Sequence, residues 1–158
     1  MANTIKPIPD GYHTVTPYLS LNNASGAIDF YKRAFGAEEI YRLDMPDGKV
    51  GHAELQIGNS RVMVSDEFPD MPDAVTASPI TVGNTTASLC VYVQDVDEAF
   101  ARAIEAGGVV KRAVADQFYG DRSGVLEDPS GHIWTLLTHV EDVSPDEMRK
   151  RMASMAMG

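Results

Sequence analysis

The sequence predicts an α+β fold of tandem βαβββ modules, and two observations support this prediction. Shifted by 72 positions, residues 19–36 (LSLNNASGAIDFYKRAFG) align without a gap on residues 91–108 (VYVQDVDEAFARAIEAGG). Each copy combines strand-like alternation, a helix N-cap residue, an amphipathic helix and a glycine suited to a left-handed helix end. The caps are Asn23 and Asp95, and the glycines are Gly36 and Gly108. A strand–helix unit repeated at a fixed offset indicates internal duplication.

The first module is predicted at residues 13–66, after an extended N-terminal arm at 1–12. Residues 13–21 alternate as a strand, and residues 24–35 carry one apolar stripe, which is typical of a surface helix. Three further strands are expected at 38–44, 49–57 and 61–66, separated by Pro46-Asp47-Gly48 and Gly58-Asn59 turns. The order of elements is therefore βαβββ.

The second module is predicted at residues 85–140, after a proline-containing linker at 67–84 that shows no clear period. Its expected elements are a strand at 87–93, a helix at 96–106, and strands near 109–114, 123–127 and 132–139. Residues 141–158 form a C-terminal segment with a capping box at Ser144 and Glu147. Its methionine-striped helix is expected to pack on the body of the protein or on a second subunit.

Composition restricts the function classes. The 158 residues suit one domain overall, and 44% of them are hydrophobic, as in ordinary globular proteins. The formal net charge of -10 makes nucleic acid and anionic membrane surfaces unfavourable partners. There is no apolar run of roughly 20 residues and no secretory signal pattern. A single cysteine, Cys90, fits a reducing compartment, so a cytoplasmic location is expected.

Several motifs in order resemble those of one superfamily. They are Pro17-Tyr18-Leu19, Ala27-Ile28-Asp29-Phe30-Tyr31, Ala34-Phe35-Gly36-Ala37, His52-Ala53-Glu54-Leu55, Tyr119-Gly120-Asp121-Arg122-Ser123-Gly124 and Asp128-Pro129-Ser130-Gly131-His132-Ile133-Trp134. The chain thereby resembles the vicinal oxygen chelate superfamily of glyoxalases, bleomycin-resistance proteins and dioxygenases, and most closely its PhnB-like branch. The resemblance covers residues 13–148. It implies that the two modules form an open β cup around a small-molecule ligand, and that the protein is a homodimer.

The predicted hairpin at residues 49–66 separates apolar from polar side chains. Its apolar face comprises Ala53, Leu55, Ile57, Val62 and Val64. Its polar face comprises His52, Glu54, Gln56, Arg61, Met63 and Ser65. Because the apolar face must pack against the helix, the polar face is expected to line the cup.

The usual metal ligands of the superfamily are expected to be absent. The resemblance puts those ligands at Thr16, Met63, Ser88 and Thr135, and the 72-residue offset relates Thr16 to Ser88 and Met63 to Thr135. Neutral hydroxyls and a thioether do not make a competent site for Zn²⁺, Ni²⁺ or Fe²⁺. No metal and no cofactor are therefore predicted.

His52 and Glu54 are the candidate catalytic residues, and three interpretations of them stay open. Glu54 can accept a proton that His52 shuttles, without a metal. The pair can instead hold a displaced metal ion with Glu67 or His139 as a further ligand. The third interpretation is a structural contact between histidine and carboxylate.

A second candidate group is Tyr119, Asp121 and Arg122. Arg122 can bind a carboxylate or a phosphate, with Asp121 fixing its orientation, or the two can form a structural pair. Because a slip of one residue exchanges the faces of a strand, the sequence does not decide which of the two side chains faces inward.

The resulting functional hypothesis is a protein that binds a small molecule in a β cup without the usual metal site. The expected ligand-binding residues are Thr16, Tyr18, Gln56, Met63, Ser88, Tyr92, Tyr119, Asp121, Arg122 and Thr135. The alternative is a metal-dependent lyase, isomerase or dioxygenase with its ligands relocated to His52 and Glu54. Whether the protein is an enzyme stays open.

Overall fold

The computed structural model describes residues 5–157, which form two compact units. The first unit ends at Thr85 and the second begins at Thr86. Each unit contains one four-stranded mixed sheet together with helices, so the predicted α+β fold of tandem βαβββ modules is confirmed. No helix in this described part of the chain is long and apolar enough to cross a membrane.

The first unit has the element order predicted for the first module. It comprises β1 (Tyr18–Leu21), α1 (Ala24–Phe35), β2 (Glu38–Asp44), β3 (Val50–Ile57), β4 (Ser60–Asp66) and α2 (Pro79–Val82). The strands lie in the order β1-β4-β3-β2, with β1 parallel to β4 and the other pairs antiparallel.

The second unit repeats this architecture. It comprises β5 (Ser88–Tyr92), α3 (Val96–Glu105), β6 (Val109–Asp116), β7 (Asp121–Glu127), β8 (Ile133–His139) and α4 (Pro145–Ala156). The order β5-β8-β7-β6 matches that of the first sheet, again with one parallel pair, β5 with β8.

The pairing registers preserve the sequence repeat. Tyr18 lies opposite Met63, and Cys90, 72 positions after Tyr18, lies opposite Thr135, 72 positions after Met63. In the third strand of each sheet the offset is 71. Val125 of β7 lies opposite Thr135, and Glu54 of β3 lies opposite Met63, so Val125 and Glu54 hold equivalent positions. The longer β7–β8 connection restores the offset of 72.

Each core lies between one sheet and the helix that follows the first strand of that sheet. In the first unit α1 buries Ile28 and Tyr31, and the sheet buries the apolar hairpin face defined above, with no member more than 8% exposed. In the second unit Phe100 of α3 packs close to Gly124 of β7, where an added Cβ would lie 2.7 Å from the phenyl ring. Trp134 is 1% exposed in the same core.

Three local features differ from the sequence prediction. The first strand begins at Tyr18, five residues later than expected, since Pro17 has no N–H for the ladder, although its carbonyl accepts from Met63 N–H at 2.9 Å. The linker contains the short helix α2, whose N-cap Ser78 accepts from Thr81 N–H. At the end of α3 the positive φ of 122° belongs to Gly107, one residue before the predicted Gly108.

Candidate functional site

Four polar side chains of the first unit form one connected group, which we call the Glu54 cluster: Tyr18, Tyr41, His52 and Glu54. The Tyr18 hydroxyl lies 2.9 Å from His52 Nδ1, and His52 Nε2 lies 3.2 Å from Glu54 Oε1. Tyr41 donates its hydroxyl hydrogen to the same Glu54 oxygen at 2.6 Å. One histidine tautomer satisfies both contacts, with Nε2–H donating to Glu54 and Nδ1 accepting from Tyr18.

Two strand pairings bring the Glu54 cluster together. Because side chains two residues apart in a strand share a face, His52 and Glu54 project from the same side of β3. Tyr41 lies directly opposite Glu54 on β2. Both tyrosine rings are tilted against the imidazole, with centroid distances of 5.4 Å from Tyr18 and 5.8 Å from Tyr41.

Glu54 has the least ordinary environment of the four. It is only 4% exposed, whereas Tyr18 is 49% and Tyr41 is 42% exposed. Its second carboxylate oxygen, Oε2, is buried and has no hydrogen-bond partner among residues 5–157. Buried polar atoms are almost always paired, so an unpaired carboxylate oxygen needs an explanation. A hydrogen-bond donor supplied by a ligand would provide one.

A cavity of about 570 Å³ in the first unit is lined by Tyr18 and by residues from the linker. The sheet contributes Tyr18, Ser20 and Ser65, and the linker contributes Phe68, Met71 and Pro72 among others. This volume lies within the range of roughly 300–1,000 Å³ that is usual for small-molecule sites. The hydroxyl groups and the apolar wall together suit a ligand with an apolar body and a few polar atoms.

Glu67 anchors the linker that forms this wall. Its carboxylate accepts hydrogen bonds from Thr81 Oγ1 at 2.6 Å, Ser78 N–H at 2.8 Å and Ser78 Oγ at 3.1 Å. The bond from Thr81 is the largest cause, and that from Ser78 N–H the next, of a pKa below the ordinary glutamate value. The carboxylate is thus engaged by α2 and by its N-cap residue.

The second unit contains a separate polar group around Asp121. Asp121 is 5% exposed and accepts from the Tyr92 hydroxyl at 2.8 Å. His139 Nδ1 lies 2.8 Å from the other Asp121 oxygen, and His139 Nε2 lies 2.8 Å from Asp142. The bonds to Asp142 and then Asp121 raise the pKa of His139, and the bond to Asp121 raises the pKa of Tyr92.

The structure also answers the register question for Asp121 and Arg122. Arg122 contacts both oxygens of Asp97 on α3, at 2.8 and 2.9 Å, and Asp116 at 3.1 Å. Its side chain therefore lies on the helix-facing side of β7, whereas Asp121 shares the other side with Tyr92. Asp97 and then Asp116 raise the pKa of Arg122 above its ordinary value. Its guanidinium joins β7 to α3 and β6.

The predicted metal positions do not offer suitable donors. Thr16 precedes β1, Met63 lies opposite Tyr18, Ser88 opposite Ile133 and Thr135 opposite Cys90. Their hydroxyls and thioether remain poor ligands for a divalent transition metal. Within residues 5–157 no three His, Cys, Asp or Glu side chains are grouped so that they could hold a metal ion.

Two of the other predicted site residues make local contacts. Gln56 donates its side-chain amide to Gly58 O at 2.8 Å across the β3–β4 turn. Tyr119 packs edge to face against Phe118, with a centroid distance of 5.3 Å.

Sequence reasoning missed the role of Tyr41. An irregularity between Glu39 and Tyr41 shifts the β2–β3 register by one residue, so simple alternation does not identify the face of Tyr41. The sequence indicates His139 only as a possible metal ligand and not as the partner of Asp121. Asp121 and His139 lie opposite each other on β7 and β8, and this register is what predicts a contact between their side chains.

Comparisons with known proteins agree on one family. Residues 13–136 match the model of the Glyoxalase/Bleomycin resistance protein/Dioxygenase superfamily. The uncharacterized protein Mb0911c of Mycobacterium bovis is 42% identical over 144 residues, which are 91% of this chain and 95% of that protein. A lactoylglutathione lyase of Neisseria meningitidis is 27% identical over 115 residues, covering 72% of this chain and 81% of the enzyme.

Solved structures show the same architecture. TioX from Micromonospora sp. ML1 is similar with a TM-score of 0.62 and 29% identity, covering 80% of this chain and 98% of TioX. A structure described as a PhnB protein from Bacillus cereus has a TM-score of 0.61 at 20% identity, covering 80% of this chain and 99% of that one. At that identity the second likeness concerns the fold alone.

Proposed function

The chain belongs to the glyoxalase/bleomycin resistance protein/dioxygenase superfamily, and from this premise we propose that its first unit binds a small organic molecule without a metal ion. The proposed site is the Glu54 cluster together with the cavity, and Tyr18 belongs to both. The superfamily does not by itself define a ligand, because one fold serves many functions. The ligand therefore has to be inferred from the residues of the site.

The observation that carries the proposal is the unpaired buried oxygen of Glu54. A carboxylate held in place by Tyr41 and His52, with one acceptor left over, is organised to receive a donor from outside the chain. The half-exposed rings of Tyr18 and Tyr41 supply apolar surface beside it. The 570 Å³ cavity gives room for the rest of the ligand.

The experiment examines protein purified without a polyhistidine tag. Native mass spectrometry identifies any retained small molecule, and elemental analysis of the same sample measures divalent metals. We expect the molecule to stay bound after exhaustive treatment with EDTA. A stoichiometric divalent ion whose removal releases the molecule would contradict metal-independent binding and would favour the alternative of a relocated site at His52 and Glu54.

A second candidate function is metal-free proton transfer, favoured by the same Glu54 oxygen. In this candidate Glu54 accepts a proton from the bound substrate while His52 exchanges it with solvent. The assay is lactoylglutathione lyase activity of chelator-treated protein, chosen because of the 27% identical relative. Activity that survives chelation and is lost in Glu54→Gln would support this candidate. Activity that appears only with added divalent ions would contradict it.

Two finer inferences rest on the sequence resemblance. Assignment to the PhnB-like branch rests on the motifs at residues 17–37, 52–55 and 119–134. A homodimer is likewise an inference from the family. Size-exclusion chromatography with light scattering measures the mass directly, and a value near the chain mass of 17.1 kDa would contradict the dimer.

A further inference from the structure

We propose that the ligand of the first unit carries a cationic nitrogen, such as a protonated amine or amidine, on an aromatic or apolar body. This inference rests on the proposed function and specifies the ligand class of that site. The cationic group pairs with Glu54, and the apolar body occupies the cavity lined by Tyr18 and the linker.

The internal repeat shows that the fold itself does not require a carboxylate at position 54. Val125 holds the equivalent register position in the second unit, opposite Thr135 as Glu54 is opposite Met63. A valine suits this strand position, whereas a buried carboxylate with an unpaired oxygen is unfavourable. Because the same framework forms with valine, we attribute the charge at Glu54 to recognition.

The surroundings of Glu54 favour a positive partner over a neutral donor. Its Oε1 already accepts from Tyr41 and His52, and its Oε2 offers a further acceptor to which no side chain of residues 5–157 is bonded. A charged donor forms stronger hydrogen bonds with a carboxylate than a neutral donor does. The faces of Tyr18 and Tyr41 add favourable cation–π surface next to the carboxylate.

The lining of the cavity is acidic and therefore also favours a cationic ligand. Its lining includes the carboxylates of Asp66, Glu67 and Asp73, and no lysine or arginine. Lys49 lies beside this wall, with its ammonium nitrogen 5.4 Å from the centre of the Phe68 ring. Asp66 accepts from two backbone N–H groups, Glu67 accepts from α2, and Asp73 is exposed to solvent. Glu54 lies outside this lining and is connected to it through Tyr18 and His52, and its unbonded oxygen is the specific anchor.

Access of a ligand to Glu54 Oε2 requires a side-chain movement. Oε2 is shielded from solvent, and Tyr41 lies on the edge strand β2 with 42% of its surface exposed. When a cation binds, the Tyr41 ring turns away from Glu54 and packs against the ligand. Tyr41→Phe removes the hydrogen bond to Oε1 and keeps the ring. Since both carboxylate oxygens are then open to the ligand, this variant is expected to bind the amine at least as tightly as the parent protein does.

The experiment compares three compounds of nearly equal shape by isothermal titration calorimetry at neutral pH. They are 2-naphthylmethylamine, 2-naphthalenemethanol and 2-naphthoate, which are cationic, neutral and anionic. We expect the amine to bind about tenfold more tightly than the alcohol, and the naphthoate to bind most weakly. Glu54→Gln should remove the preference for the amine and leave binding of the alcohol nearly unchanged.

The matched control is Glu38→Gln, which removes one negative charge from an exposed position of β2 outside the site. It should leave all three affinities within about twofold of the parent values. Far-UV circular dichroism and thermal melting confirm that each variant is folded. An amine preference that Glu38→Gln removes equally would assign the effect to net charge and overturn the inference.

Two further results separate this inference from the proposed function. Equal or tighter binding of the alcohol or the naphthoate would overturn the cationic ligand class while metal-independent binding still stands. Absence of binding by all three compounds would also overturn the ligand class. The proposed function fails only if untagged, chelator-treated protein also retains no small molecule in native mass spectrometry.

Discussion

The replacement Glu54→Val tests whether the carboxylate serves binding or folding. The substitution introduces the residue that the second unit has at the equivalent position, so the strand geometry accommodates it. If Glu54 serves binding, its removal should leave the fold intact or strengthen it. If Glu54 serves folding, its removal should destabilise the protein.

The magnitude follows from the contacts of the carboxylate. Removing the unpaired buried oxygen relieves a desolvation penalty of about 1–3 kcal/mol. Loss of the bonds from Tyr41 and His52 and of some side-chain volume offsets about 1 kcal/mol of this, because both partners are partly exposed and can bond to water instead. We therefore expect the free energy of unfolding to rise by about 1 kcal/mol.

Urea denaturation followed by circular dichroism measures this difference. Glu38→Val removes the same charge from an exposed strand position and is expected to change the free energy of unfolding by less than ~0.5 kcal/mol. A decrease of more than about 2 kcal/mol for Glu54→Val, with Glu38→Val unchanged, would refute the reasoning, because Glu54 would then be a structural residue.

Three further predictions concern the second unit. The raised pKa of His139 means that its protonated form stabilises the fold fully below the ordinary histidine value of 6.5, and that this contribution is lost as pH rises through the higher folded value. The stability advantage over His139→Gln in urea denaturation should therefore shrink as the pH rises above the ordinary histidine value of 6.5, and a constant difference would contradict it. Gly124→Ala should lower the free energy of unfolding by about 1–3 kcal/mol because its Cβ meets Phe100, and unchanged thermal melting would count against this packing. Asp128→Ala should cost about 2–4 kcal/mol and alter the fluorescence of Trp134, whose indole N–H donates to Asp128 at 2.9 Å; an unchanged emission spectrum would be the contrary result.

The sequence was sufficient for the architecture because hydrophobic periodicity and helix caps are local signals. Asn23 and Asp95 cap α1 and α3 as expected, by accepting from Gly26 N–H and Glu98 N–H. The separation of the β3–β4 hairpin into apolar and polar faces likewise follows from alternation. The 72-residue offset reappears in the strand registers because both modules have the same pairing pattern.

The contacts of the site were harder to predict because they depend on register between distant strands. Tyr41 reaches Glu54 only through an irregularity in the β2–β3 pairing. Asp121 and Arg122 are neighbours in sequence, yet one contacts Tyr92 and the other contacts Asp97. Such outcomes depend on shifts of one residue, which hydrophobic pattern does not encode.

The most direct test of the proposed site maps the bound ligand onto the chain. Backbone amide resonances of EDTA-treated, isotope-labelled protein are followed by NMR while the tightest-binding of the three naphthyl compounds is added. We predict that the largest shifts occur at Tyr18, Tyr41 and residues 52–56, with the equivalent strand around Val125 unaffected. Shifts confined to the second unit, or shifts that appear only after a divalent metal ion is added, would contradict metal-independent binding at the Glu54 cluster.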